Sequence, residues 1–318
     1  MIYPEETLLN EGFAEKAAAA GCEVIGQRRL CSLTTFKVGG ECGGVVAPRS
    51  AESCAALVRL LNEYGEDYFV IGKGSNIIAD DRGVKRLIVL IGDGMSDISL
   101  LPDGAGIVCG AGASVIAASV FAQKQALTGF EFAYGIPGTV GGAVFMNAGA
   151  YGGEIKDIIL YADAVDRKSG EIRRFPPEEM GLSYRHSVFM EEERYIIVSA
   201  AFALKNGDGA EIKAGMDDIM QRRRDKQPLE YPSAGSTFKR PEGSYASLLI
   251  DQCGLKGFTV GGAQVSEKHC GFVINKGGAT FDDIIELMKS VRETVREKTG
   301  YVLDPEPVIL TDRTDTGL

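Results

Sequence analysis

Residues 135–153 read Gly-Ile-Pro-Gly-Thr-Val-Gly-Gly-Ala-Val-Phe-Met-Asn-Ala-Gly-Ala-Tyr-Gly-Gly, seven glycines set among mostly apolar neighbours. A flexible Gly/Ser linker has no such apolar content, so the stretch reads as buried and yet irregular. Its backbone N–H groups must find acceptors, and glycines let the chain approach a ligand closely or adopt φ > 0. The simplest partner is an anion or a flat polar ring; a run of tight turns inside a sheet protein is the other reading. Gly72-Lys73-Gly74-Ser75-Asn76 repeats the theme at the end of an apolar run, Tyr68-Phe69-Val70-Ile71. Successive N–H groups and two small polar side chains there can form an anion-binding nest, although an ordinary turn has the same composition.

Farther along, Ala234-Gly235-Ser236-Thr237-Phe238-Lys239-Arg240, Leu255 to Gly262 and Ser266-Glu267-Lys268-His269-Cys270-Gly271 each put a basic residue beside glycine. Cations and open N–H groups acting together suit a phosphorylated ligand, and solvated turns look the same. Glu306 stands between Pro305 and Pro307 in an otherwise apolar segment, either as a sheet-edge charge or as a placed functional group. Gly110-Ala111-Gly112 follows a strand and precedes a helix, but the third glycine and the acidic residue of a dinucleotide fingerprint are missing. No Gly-x-x-x-x-Gly-Lys-Ser/Thr loop occurs either, which excludes a P-loop NTPase.

The elements that must hold these loops follow from periodicity. Residues 5–20 have one apolar face (Leu8, Leu9, Phe13, Ala17, Ala20), residues 51–64 form a second amphipathic helix stopped by Gly65, and Ser114 to Ala126 a third. Strands are predicted at 68–71, 86–91, 106–109, 158–165 and 195–204, with a turn at Arg167-Lys168-Ser169-Gly170. A charged helix over 209–226 ends at Pro228, and a second domain begins in that region. Residues 281–298 form a long amphipathic helix, and Tyr301 to Leu310 reads as a strand.

The chain has 318 residues, 45% hydrophobic, with a mean hydropathy of 0.00, enough apolar material for two or three domains. The absence of an 18-residue apolar run and of a basic, then apolar, N-terminal segment points to a cytoplasmic protein without membrane insertion. Seven cysteines at 22, 31, 42, 54, 109, 253 and 270, with no C-x-x-C pair, fit reduced thiols and suggest neither disulfide nor metal. A net charge of −10 argues against nucleic-acid partners, and nothing indicates an obligatory protein partner.

Taken jointly, Gly-Lys-Gly-Ser-Asn (72–76), the 135–153 stretch, Tyr-Arg-His-Ser (184–187), Ala-Gly-Ser-Thr-Phe-Lys (234–239) and Gly-Gly-Ala-Gln-Val-Ser-Glu-Lys-His (261–269) resemble the UDP-N-acetylenolpyruvoylglucosamine reductase family over nearly the whole chain. The resemblance implies an α+β protein: a two-subdomain FAD-binding portion of the vanillyl-alcohol-oxidase type, with FAD between the subdomains, plus a C-terminal α+β substrate domain. In this division residues 1–91 are the first FAD-binding subdomain, joined by a returning strand near 304–312; residues 92–207 are the second, and 208–303 bind substrate. The implied reaction uses NADPH to reduce FAD, which passes hydride to the enolpyruvyl ether of a UDP-sugar, giving UDP-N-acetylmuramate for peptidoglycan.

The resemblance also assigns roles. Arg185 binds the substrate carboxylate, Glu306 polarises the same group, and Ser236 donates the proton. FAD contacts fall to Gly72, Lys73, Gly74, Ser75, Asn76 and Ile77, to Gly110 and Ala111, and to Gly135, Ile136, Pro137, Gly138, Gly141, Gly142 and Asn147. Lys73 stands where many relatives have glycine. Arg185 and Ser236 are 51 positions apart, which is similar to the shorter branch of the family, without a tyrosine-bearing lid. Substrate binding then rests on Tyr151, Tyr184, Arg223, Gln227, Lys239, Arg240 and His269. Two other classes use the same loops: a flavin oxidase, distinguished by oxygen consumption with an alcohol, and a non-catalytic flavin or nucleotide-sugar sensor. The latter need not keep Arg185, Ser236 and Glu306 together.

Overall fold

The computed structural model describes residue 9, residues 11–191 and residues 194–318. The chain forms two compact units. The first takes the chain up to Gln27, Gly43–Lys73 and Arg86–Gln221; the second takes Arg28–Cys42, Gly74–Lys85 and Arg222–Leu318. No helix among the described residues is long and apolar enough to cross a membrane.

In the first unit α1 (Glu11–Ala19) buries Phe13 and Ala17 as the spacing predicts; positions 5–8 and 10 of that expected helix lie outside the described residues. Helix α2 (Ala51–Tyr64) starts on a reciprocal Ser50–Ser53 cap and stops at Gly65, whose φ of 68° needs no Cβ. A four-stranded sheet runs in the order Cys22–Gly26, Cys42–Pro48, Val84–Leu90, Tyr68–Ile71, the last two parallel. A five-stranded antiparallel sheet runs Ile172–Phe175, Ile159–Asp166, Tyr195–Ala203, Gly106–Gly110, Ile98–Leu100. Its central strand, Tyr-Ile-Ile-Val-Ser-Ala-Ala-Phe-Ala, is mostly buried. Helices α2, α3 (Val115–Lys124) and α4 (Val140–Phe145) share the core with that strand.

Helix α4 corrects the reading of 135–153 as irregular throughout. Thr139 caps it, its side chain accepting from Gly142 N–H at 3.3 Å, and buried Val140, Ala143 and Val144 give it an apolar face that outweighs the helix cost of two glycines. Pro137, Gly142, Tyr151 and Gly152 are exposed, so the stretch is not uniformly buried.

Helix α5 (Gly209–Lys226) ends just before Pro228. The second unit holds α6 (Ala246–Gln252) and α7 (Phe281–Thr299). Helix α7 is capped by Thr280 with Asp283 and closed by Gly300 at φ 76°. An antiparallel sheet runs Ser233–Ser236, Phe272–Asn275, Ala263–Val265, Thr259–Val260. The predicted strand over 301–310 shrinks to Val308–Leu310, paired in parallel with Ile77–Ala79. Pro305 and Pro307 have no N–H to give a ladder, which keeps the preceding residues out of regular pairing. Beyond it Thr311 donates to Asp80 at 2.7 Å, and Arg313 donates to Asp80 at 3.1 Å and to Asp282 at 2.6 Å. Asp80, 1% exposed, is thereby a paired buried charge.

Candidate active site

The loops of the first unit clasp one another. Gly141 N–H donates to Ala111 O, Val140 N–H to Ala113 O and Val115 N–H to Gly138 O, each within 3.1 Å. A Cβ at Gly112 would lie 1.9 Å from Gly92 O and one at Gly110 2.2 Å from Met95 O, so close packing of backbone on backbone fixes glycine here. Ala111 is fully buried and donates to Val198 O. Gly135 adopts φ 102° beside half-buried Ile136.

The two loops read as nests differ. Across 135–142 the N–H groups of Ile136, Gly138, Val140, Gly141 and Gly142 all have acceptors inside the protein. Among the described residues those of Gly72, Lys73, Gly74 and Ser75 have none. The open donors therefore lie in the 72–75 loop, and Lys73 there is exposed. A Cβ on Gly72 would come within 2.3 Å of Thr139 Oγ1, and one on Gly74 within 2.2 Å of Leu33 O. Asn76 donates to Glu306 O at 3.2 Å and accepts from Val308 N–H, and Ile77 starts the buried strand beside Val308.

Arg185 sits at the tip of a tight turn closed by mutual Ser183–His186 backbone bonds of 3.1 and 3.2 Å. It adopts φ 53°, a left-handed conformation costly for a residue with Cβ. Its guanidinium lies 5.4 Å from the ring centroid of exposed Tyr184. Tyr151 tops a second tight turn, between Gly149–Ala150 and Gly153–Glu154; with Tyr151 at φ 51° and Gly152 at φ 91° it is the mirror-image hairpin turn. Asn147 joins the two. Only 1% exposed, it donates to Glu154 at 2.9 Å and to Ser183 O at 2.8 Å, and its oxygen accepts from Lys156 N–H at 2.9 Å. The Lys156 ammonium, 2.9 Å away, holds the Glu154 carboxyl below the usual carboxylate range, and the Asn147 amide and Arg185 charge act in the same direction.

In the second unit Ser236 ends the Ser233–Ser236 strand, whose register against Phe272–Asn275 slips through a bulge at Gly235, φ 79°. Half-buried Ser236 thus sits at a break in the strand register. Glu306 comes beside it through Glu306 N–H donating to Thr237 O at 3.0 Å and the Phe238–Pro305 bridge. Thr237 is anchored in turn, its N–H to Gly271 O and its hydroxyl accepting from Val273 N–H, both at 2.8 Å. Lys239 N–H donates to Asp304 O, and exposed Arg240 lies 5.4 Å from the Tyr245 ring.

His269 belongs to the same neighbourhood. Its Nδ1 accepts from Gly271 N–H at 3.1 Å and its ring packs edge-on against Phe272. An accepting Nδ1 puts the neutral ring's proton on Nε2, and burial pushes its pKa below the ordinary histidine value. Arg223 is 8% exposed, and the buried side-chain oxygen of Gln227 has no hydrogen-bond partner among the described residues. The structure thus brings Ser236, Glu306, Lys239 and His269 together in one unit and Tyr151, Tyr184, Arg185 and Asn147 in the other. Sequence reasoning missed Glu154 and Thr139; the Thr-x-x-Gly cap spacing at 139–142 was the available signal for the latter.

Residues 43–176 match the FAD binding domain family, and residues 227–310 match the family of the UDP-N-acetylenolpyruvoylglucosamine reductase C-terminal domain. The UDP-N-acetylenolpyruvoylglucosamine reductase of Lachnoclostridium phytofermentans is 45% identical over 279 residues, 87% of this chain and 89% of its own. That of Exiguobacterium sibiricum is 45% identical over 302 residues, 95% of this chain and 96% of its own. The crystal structure of the Thermus caldophilus UDP-N-acetylenolpyruvylglucosamine reductase aligns with a TM-score of 0.78 at 31% identity, covering 91% of this chain and 100% of that one. Matches at both ends of the chain, identity sustained across nearly its full length and one shared α+β architecture lead to a single conclusion: the chain belongs to the UDP-N-acetylenolpyruvoylglucosamine reductase family and carries its FAD-binding domain.

Proposed function

We propose that the protein is an NADPH-dependent reductase that converts the enolpyruvyl ether of UDP-N-acetylglucosamine to UDP-N-acetylmuramate, a peptidoglycan precursor, in the cytoplasm. The observation that carries this is the backbone bond that sets Glu306 against Thr237, the residue after Ser236 at the strand bulge, in a chain that also presents Arg185 from a strained turn. Bound FAD would supply hydride chemistry here, with NADPH as the hydride source and the substrate's methylene carbon as the acceptor. The chain fits that group: four successive open N–H donors at Gly72–Ser75 match a diphosphate. In this reading residues 1–91 and 92–207 hold FAD, 208–303 hold the UDP-sugar, and the chain is of the short, lidless branch.

Hydride arrival leaves negative charge on the neighbouring carbon, shared with the carboxylate. The Arg185 fork binds that carboxylate, and preorganised charge of this kind contributes about 3 kcal/mol in a dry site. Glu306 polarises the same group, and Ser236 gives its hydroxyl proton to the carbon. A hydroxyl is a weak acid, but a carbanion-like centre is a strong base. Gln227, with its buried unsatisfied oxygen, is a ready acceptor for a sugar or uracil donor, and Tyr151, Tyr184, Arg223, Lys239, Arg240 and His269 complete the substrate contacts.

Stopped-flow absorbance of Ser236→Ala tests the reading. NADPH should bleach the flavin at about the wild-type rate, while reoxidation by the enolpyruvyl substrate should slow by about 10²-fold or more. Wild-type reoxidation would make Ser236 a structural turn residue.

A further inference from the structure

Three of the five non-glycine residues with positive φ among the described residues, Asn147, Tyr151 and Arg185, fall within one small region of the first unit. Left-handed backbone at residues with a Cβ persists only where the surroundings enforce it. The enforcing contact is the Asn147 side chain, which touches both turns: its amide nitrogen donates to Glu154, on the hairpin that carries Tyr151, and to Ser183 O, in the turn that carries Arg185. Its oxygen takes Lys156 N–H, so both amide protons and the acceptor are committed within the protein. At 1% exposure water offers no substitute partner. We propose that Asn147 is a positioning residue, whose amide ties the Arg185 turn to the Tyr151 hairpin and so fixes the distance between the two groups that meet the substrate. The inference rests on Arg185 and Tyr151 acting on substrate as proposed above. It also moves the Asn147 side chain from cofactor contact to scaffold.

Polarity makes the tie testable. Asparagine donates and Glu154 accepts; Asn147→Asp sets two carboxylates face to face, and a shared proton restores one bond. The other charges facing them are Lys156 and Arg185, which favour ionisation of both, and Asp157, which opposes it; His186 lies in the Arg185 turn with its Nδ1 against Gly181 O. In the double variant Asn147→Asp/Glu154→Gln the bond to residue 154 re-forms with its direction reversed, but the ionised carboxylate at position 147 has no proton for Ser183 O, so the tie to the Arg185 turn stays broken at pH 8; Glu154→Gln alone keeps that tie.

The experiment measures Kd of the UDP-sugar enolpyruvyl ether by calorimetry and kcat/KM on the flavin-loaded enzyme from pH 5.5 to 8. Asn147→Asp should bind at least 10-fold more weakly than wild type at pH 8 and recover as pH falls; the double variant should also stay at least 10-fold weaker at pH 8, whereas Glu154→Gln, which keeps both donations of Asn147, should bind within about 3-fold of wild type across the range. A double variant that binds like wild type at pH 8 overturns the proposal, as does Asn147→Asp binding like wild type there or Glu154→Gln binding as weakly as Asn147→Asp. Arg185→Ala, run alongside, separates the layers: full turnover in that variant overturns the substrate role of Arg185 and the positioning role with it. Lost turnover in Arg185→Ala together with wild-type binding by Asn147→Asp at pH 8 overturns the positioning role alone.

Discussion

His269 shows how one backbone bond sets a side chain's chemistry. Gly271 N–H occupies Nδ1, so the neutral ring presents Nε2–H as a donor suited to a diphosphate oxygen, and burial disfavours the cation. With the folded pKa below the unfolded one, the unfolded chain binds the extra proton first as pH drops. Stability therefore falls as pH declines from the ordinary histidine value near 6.5 toward the depressed folded value, and is unaffected by this group above that window. His269→Asn, whose side-chain oxygen can take over from Nδ1, should give a melting temperature that depends less on pH between 7 and 5 than that of wild type. Circular dichroism melts at a series of pH values measure it; an unchanged slope would mean that His269 is not the titrating group.

Loops 72–76 and 135–142 are expected from the sequence to meet a ligand, yet their glycines also answer to packing. Gly72 leaves only enough room for the Thr139 side chain, and Thr139 caps α4. Gly72→Ala forces that side chain to shift and should cost about 1–3 kcal/mol. Thr139→Ala should cost about 1 kcal/mol through the lost cap. The double variant should lose less than the sum, because the contact that opposes the new methyl is gone and the cap is lost only once. Unfolding free energies from urea titration give the coupling, and strict additivity would show that the two loops do not communicate through this contact.

For the molecule as a whole, the FAD-binding domain and the C-terminal domain are distributed over two compact units whose segments interleave along the chain. Strand Val308–Leu310 is a long-range return: it pairs with Ile77–Ala79, more than 200 positions earlier. The match to the FAD binding domain family and the open N–H donors of 72–75 both suit a dinucleotide. We expect purified protein to be yellow and heat to release FAD rather than FMN, as resolved by chromatography. A colourless protein that also fails to take up added FAD would contradict the reading.

The sequence by itself determined what depends on near neighbours in the chain. Helices α2 and α7 were legible because Ser50, Gly65, Thr280 and Gly300 act within a turn of the helix they bound, and the strands at 68–71 and 195–203 because apolar runs need burial wherever they go. Arg185 and Ser236 stand in motifs and Glu306 between two prolines, and the roles expected of all three came through resemblance. The tertiary structure alone decided what depends on distant partners. The N–H groups of the two glycine-rich loops look alike on paper, but acceptors at Ala111 and Ala113 close the 138–142 loop while the 72–75 loop stays open. The same holds for Asn147, whose amide bonds go to Glu154 and Ser183, and for Glu306, whose backbone comes alongside Thr237, next to Ser236, because two prolines keep its segment out of a regular strand and its own N–H finds Thr237 O. A hydrogen bond needs two partners in space, and sequence spacing specifies both only when they lie within a turn or two of each other.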